Sequence, residues 1–186
     1  GLAKAYIPRG PIFFDIKPAE LINKIIELLP KNVIFCSLEP SQFVPGIAFD
    51  VCQSKQPVQT TILNLSGSEE ELLAAMHSKT RYSIRIGLKS DLMFSEINAD
   101  EFYKLLSATA HRQKFRTYPK EYFVKLEQTI NKSRLKFLGV FKDARLVVAG
   151  VFYIFGSTAT YLHGGSDYQH RALMGPHLLH WEAIKL

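Results

Sequence analysis

LKFLGVFKDARLVVAGVFYIFGSTATYLH, residues 135–163, reads as three strands in a row: 135–141, 146–155 and 158–163. Val, Ile, Phe, Tyr and Leu dominate each run, KDAR makes the first turn and Gly156-Ser157 the second, which is the pattern of an antiparallel meander. Upstream, residues 91–97 read as a short strand. Two helices follow it, one over Ala99 to about Lys114 with Phe102, Leu105, Leu106 and Thr109 turned inward, and one opened by Pro119 carrying Tyr122, Phe123, Leu126 and Ile130. Downstream, a last helix opens near Gly175-Pro176.

From residue 91 the order is therefore strand, helix, helix, three strands, helix. This is the order of the acyltransferase fold of the GNAT type, an α/β architecture built on a mixed sheet with an acyl-donor cleft at its centre; any α+β domain with a meander shares it. Further upstream, KAYIPRGPIFFDI predicts a strand with a turn in it, and Pro18 opens a helix whose apolar positions Leu21, Ile22, Ile25, Ile26 and Leu29 stop at Pro30. Residues 33–38 predict a buried strand, 39–59 with three prolines a loop or irregular crossover, and 60–65 an alternating strand. SGSEEELL is a helix start: Ser66 or Ser68 can cap, Glu69, Glu70 and Glu71 suit the positive end of the helix, and the pattern predicts one helix to about Leu88.

The 186 residues are 47% hydrophobic and 22% charged, enough for a buried core and a hydrated surface, which excludes disorder, collagen and a disulfide knot. The longest apolar run, Val147 to Phe155, is about half of what a bilayer-spanning helix needs. Cys36 and Cys52 lie far apart with no CxxC spacing, as expected of packed thiols in a reducing compartment. The chain opens on Gly1 and stops at Leu186 within a predicted helix, so a piece of a longer protein is the expectation.

The net charge of +6 is unevenly spread. Residues 72–90 hold four Lys or Arg and no acid, and residues 111–125 hold five against Glu121 alone. His77, Arg81, Arg85 and Lys89 follow one another at i, i+4 with Lys79 and Tyr82 beside them; such a stripe is either a solvated face or a binding face for an anion that relieves its self-repulsion. HRQKFRTYPKEYF interleaves His111, Arg112, Lys114, Arg116 and Lys120 with Phe115, Tyr118 and Tyr122, a loop able to hold phosphate through Arg and stack an aromatic on a base, or simply an exposed connection.

Of the late histidines His163, His170, His177 and His180, the last two share a helix face, but no HExxH or paired Cys accompanies them and no metal is expected. There is no GxSxG and no P-loop. In HRALMGPHLL, where an acetyl-CoA enzyme carries its glycine-rich pyrophosphate loop, only Gly175 is present, and Pro176 removes an amide donor.

Three stretches, YIPRGPIF (6–13), TTILNLSGSEEELLAAMHSKTRYSIRIGLK (60–89) and ATYLHGGSDYQHRALMGPHLLHWEAIKL (159–186), resemble the FemABX family of aminoacyl-tRNA-dependent peptidyltransferases, which build peptidoglycan interpeptide bridges. The resemblance implies two GNAT-like domains in tandem, both truncated here: 1–66 as the latter part of the first, 67–90 as a basic connecting helix, and 91–186 as the second without its closing strands. It implies transfer of an amino acid from the 3′ ester of an aminoacyl-tRNA to the stem-peptide amine of a nucleotide- or lipid-linked muropeptide, with no cofactor, in the bacterial cytoplasm or at the membrane inner face.

By the same resemblance, Tyr122 matches a substrate-contacting tyrosine. Tyr118 stands where the family has an Arg, with Arg116 two residues earlier. Tyr161 and His163 match a pair of tyrosines, the second being a departure, and Lys79, Arg81 and Arg85 of KTRYSIR contact anionic substrate. The family's catalytic lysine falls beyond Leu186, so no catalytic residue is named. The rival readings are a small-molecule N-acyltransferase with a thioester donor, which the defective loop opposes, and a nucleic-acid-binding module, for which no recognised motif is present.

Overall fold

A computed structural model describes residues 1–13, 15–40, 50 and 59–186. They divide into two compact units, Gly1–Leu63 and Asn64–Leu186.

In the first unit, strand β1 (Ala3–Ile7) leads through helix α1 (Pro18–Leu28) to strand β2 (Val33–Leu38), and the two strands pair in parallel with Ala5 opposite Cys36 and Ile7 opposite Leu38. Pro18 sits where a missing N–H costs nothing, and Leu29 leaves the helix in extended backbone ahead of Pro30. Ile22 is fully buried. The strand at 33–38 forms as predicted but is not buried: Ile34 is 62% exposed, Phe35 47%, and only Ser37 is sealed, because among the described residues one helix and a two-stranded sheet cover only part of it. Cys36 is a free thiol. Cys52 and most of the predicted crossover lie outside the described residues.

The predicted strand at 60–65 is not one. Its residues take no regular pairing, and Ile62, Leu63 and Leu65 are exposed; alternation creates a strand only where a partner ladder receives it. The single helix expected from 69 to 88 is two, α2 (Glu69–Ala75) and α3 (Ser78–Lys89). Ser68 caps α2 in a reciprocal box with Glu71, and His77 caps α3, its Nδ1 accepting from the Lys79 N–H. Met76 thus closes the first helix and His77 starts the second, outside the helical stripe in which the spacing placed it.

The rest of the second unit follows the predicted order: β3 (Met93–Glu96), α4 (Ala99–Gln113), α5 (Lys120–Thr129), β4 (Leu135–Lys142), β5 (Arg145–Phe155), β6 (Thr158–Ser166), a 3₁₀ turn (Tyr168–Leu173) and α6 (Gly175–Lys185). The four strands form one antiparallel sheet in sequence order. Helices α4 and α5 cover one face, where Ala99, Phe102, Leu106 and Phe123 meet Leu135, Phe137, Ala149 and Val151. Helix α6 covers the other, where Leu178 and Leu179 meet Leu138, Val140, Val147, Val148 and Phe152. Helix α3 lies against α6, with Gly87 close to Leu178.

Two bulges break the strict alternation. Val140 pairs Val148 while Phe141 pairs Leu146, leaving Val147 unpaired; Val151 pairs His163 while Phe152 pairs Tyr161, leaving Leu162 unpaired. A bulge inserts one residue into a period of two, so the strand changes faces across it. The second one decides the geometry of the site.

Candidate functional site

Helix α4 ends in a left-handed Lys114 (φ 56°) whose N–H, with that of Phe115, returns to the carbonyls of the last turn. The chain therefore turns sharply into residues 115–119, and Pro119, itself in extended backbone, is the N-cap from which α5 begins. Tyr118 and Tyr122 consequently stack, ring centroids 4.3 Å apart at 21°. His163, on the α4–α5 face of β6, closes the group edge-on: 5.8 Å from Tyr118, 6.2 Å from Tyr122 and 5.3 Å from Phe123. Burial lowers the His163 pKa, so its imidazole is neutral at neutral pH; burial and then the neighbouring Tyr118 raise that of Tyr122. Three of the residues singled out in the sequence thus make an uncharged, stacking surface with polar tips. Arg116, exposed in the same loop, makes no ion pair among the described residues.

Tyr161 is not part of this group. The bulge at Leu162 turns it to the α6 face, where its ring meets Phe152 at 5.3 Å and His180 at 4.5 Å. Burial raises the Tyr161 pKa and, together with the charge of His177, lowers that of His180. The pairing of Tyr161 with His180 was beyond the reach of sequence spacing, because i, i+3 histidines on a helix show a face and not what it packs on.

On α3, Lys79 and Arg85 are exposed and make no ion pair among the described residues. Arg81 is used differently: its guanidinium donates to the carbonyls of Ala74 (3.3 Å) and Met76, tying down the end of α2.

The end of β6 holds a second polar cluster. Asp167 receives Arg145 at 2.9 Å, His170 at 3.1 Å and the Gln169 N–H at 2.9 Å, beside a cavity of about 130 Å³ lined by Ser166, Tyr168, Arg171 and His177. Burial alone would raise the Asp167 pKa, but the Gln169 N–H, His170 and Arg145 outweigh it and hold it below the usual carboxylate range. A carboxylate with a depressed folded pKa stabilises the fold fully above its unfolded pKa, near pH 4, and loses that contribution as pH falls through the folded value. Acid unfolding of the wild type is expected to steepen below about pH 4, and Asp167→Asn to flatten that limb while lowering stability at pH 7; urea titrations at both pH values check it. At the start of α6, Met174 is left-handed (φ 53°), Pro176 has no N–H, and the amides of His177 and Leu178 both turn to the Met174 carbonyl. This leaves few free amides for a pyrophosphate.

The larger hollow, about 550 Å³, runs along the exposed side of α5 past Lys120, Val124 and Gln128 and holds none of these groups. Among the described residues no three His, Cys, Asp or Glu converge as metal donors, and no helix is long and apolar enough to cross a membrane.

A sheet of this order, sandwiched between two helices on one face and one on the other, is a GNAT-like acyltransferase fold. The FemAB family matches residues 44–140, just over half of the chain, and the chain belongs to that family. Among solved structures it is similar to one described as the crystal structure of FemX, with a TM-score of 0.61 and 14% identity over 65% of this chain and 48% of that one. This chain therefore spans about half the length of that structure. A ribosomal-protein-alanine N-acetyltransferase from Brucella melitensis biovar Abortus 2308 matches with a TM-score of 0.39 and 22% identity over 50% of this chain and 70% of its own. No curated protein matches.

Proposed function

We propose that this chain is the acyl-transferring part of an aminoacyltransferase that moves an amino acid from the 3′ ester of an aminoacyl-tRNA to the stem-peptide amine of a nucleotide- or lipid-linked muropeptide, in the cytoplasm or at the inner face of the membrane. The observation that carries the reading is the stacked Tyr118–Tyr122 pair closed by His163, with Arg116 in the same loop, on a FemAB-family sheet. Stacked rings with hydroxyl tips suit a sugar or nucleobase, and a guanidinium with no ion partner among the described residues suits a diphosphate. Lys79 and Arg85, exposed and without an ion partner among the described residues, suit an RNA backbone, whose attraction is electrostatic and salt-dependent. No cofactor is called for, the aminoacyl-tRNA being the co-substrate. The crowded start of α6 speaks against a thioester donor.

The test uses the full natural protein with tRNA charged with labelled Gly, Ala or Ser and nucleotide- or lipid-linked muropeptide, with labelled acetyl-CoA in parallel. Label reaching the muropeptide from tRNA is the expected result, and label moving from acetyl-CoA alone would replace this reading with the thioester one. Within that assay, Lys79→Glu with Arg85→Glu is expected to weaken tRNA binding and reduce its salt slope by about 2, while Arg116→Ala and Tyr122→Phe raise the muropeptide KM and leave tRNA affinity alone.

A further inference from the structure

The cavity of about 130 Å³ at the end of β6 is lined by none of Tyr118, Tyr122 and His163. Its lining is of two kinds: Val148, Met174 and Pro176 are apolar, whereas Ser166, Arg171 and His177 bring hydrogen-bonding groups. The Nδ1 of His177 is buried and has no hydrogen-bond partner among the described residues, a cost that persists until something pairs with it. Arg171 donates one N–H to the Tyr168 carbonyl at 3.1 Å and lays its guanidinium 4.1 Å from the centre of the Tyr168 ring, which fixes the fork and leaves its other N–H groups without an acceptor among the described residues. Asp167 does not turn the opening away from anions, because Arg145 at 2.9 Å and His170 at 3.1 Å already face its carboxylate. From α4, Arg112 reaches the Ser166 carbonyl at 2.9 Å and lies 5.5 Å from the Tyr168 ring centre. Three guanidiniums thus stand around one carboxylate, and the local field is positive.

A fixed guanidinium fork matches the paired oxygens of a carboxylate or a phosphate. The apolar lining decides between them. A phosphate has oxygens on every side and would leave some unpaired against Val148, Met174 and Pro176, whereas a carboxylate on a short aliphatic stem has oxygens at one end and hydrocarbon at the other. At about 130 Å³ the space is well below the roughly 300–1,000 Å³ that takes a whole small molecule, so it suits the end of a longer ligand. Resting on the transfer reaction proposed above, we infer that this cavity binds the C-terminal carboxylate of the acceptor's stem peptide, with Arg171 clamping it and His177 donating to one of its oxygens from Nδ1. Ser166 follows His163 on β6 by about 10 Å of extended strand, so a short extended peptide spans the distance from the aromatic group to the cavity. No bond is made or broken here; the site selects the acceptor.

The test uses the full protein and, as probes, N-acetylalanine in both enantiomers, the matching carboxamides, and inorganic phosphate, each titrated by NMR. One enantiomer of the acid is expected to bind at least about 10-fold more tightly than its amide, and Arg171→Gln and His177→Leu each to remove most of that preference. In the transfer assay, a muropeptide ending in a carboxamide is expected to show a KM about 10-fold above that of the free acid with wild-type protein, and the same KM as the free acid with Arg171→Gln. Arg171→Lys, which keeps the charge and loses the fork, repeats the comparison should the Gln variant not fold. Equal binding of acid and amide, or tighter binding of phosphate, overturns the carboxylate site. Equal KM values for the two muropeptides with wild-type protein overturn its role toward the acceptor. N-acetylalanine held through Arg171 while no label leaves tRNA for either muropeptide overturns the transfer reaction and the stem peptide as occupant, and leaves the carboxylate pocket standing.

Discussion

Phe102→Ala is expected to destabilise the second unit by about 3–5 kcal/mol, enough to lower its melting temperature by more than roughly 10 °C. Phe102 is completely buried on α4, 5.2 Å from Phe123 of α5 and 5.6 Å from Phe137 of β4, so its ring joins both helices to the sheet. Alanine leaves a cavity between three elements that are held in place by their own strand pairing and helix caps and so collapse little. The loss reaches the candidate site, since Phe123 touches both Phe102 and His163. Thermal melts of the two proteins at one pH measure the shift, with exposed Leu88→Ala as a control expected within about 0.5 kcal/mol of wild type. A Phe102→Ala melt within 2 °C of wild type would show that the core is not where these contacts put it.

Gly164→Ala is expected to expel the Tyr161 ring. A Cβ on Gly164 would sit 1.7 Å from the Tyr161 hydroxyl oxygen and 2.7 Å from its Cζ, both far inside contact distance, whereas one on the paired Gly150 would sit 3.2 Å from Cε2 of the same ring, close but without severe overlap. The two glycines form a notch in the sheet that receives the phenol. Overpacking of this kind costs about 1–3 kcal/mol. Tyr161→Phe removes only the nearer atom and should relieve the alanine variant in part, whereas Tyr161→Leu should relieve it almost fully. A double-mutant cycle read by urea unfolding measures the coupling, and additive single effects would show that ring and notch do not meet.

Much of this was legible along the chain. The three strands of 135–163 show themselves by composition and turns, and α4 and α5 by their apolar spacing, because a buried face forces a period on the sequence. The stacking of Tyr118 on Tyr122 is nearly local, one helical turn across a proline. What failed did so for identifiable causes. Residues 60–65 alternate but have no partner strand among the described residues, and the 69–88 pattern hides a break because His77 can cap as well as continue a helix. Arg81 sits in a basic stripe, yet its charge is turned to the last carbonyls of α2.

Sequence by itself determined the order of elements, the class of fold, the patchy basic charge and the family, since propensity, periodicity and motif spacing are properties of neighbours along the chain. Only the tertiary structure decided which side of the sheet each site residue serves. Tyr161 and His163 are two positions apart and by simple alternation would share a face; the unpaired Leu162 places them on opposite ones. Register between strands is set by contacts distant in sequence, and one inserted residue reverses every side chain beyond it.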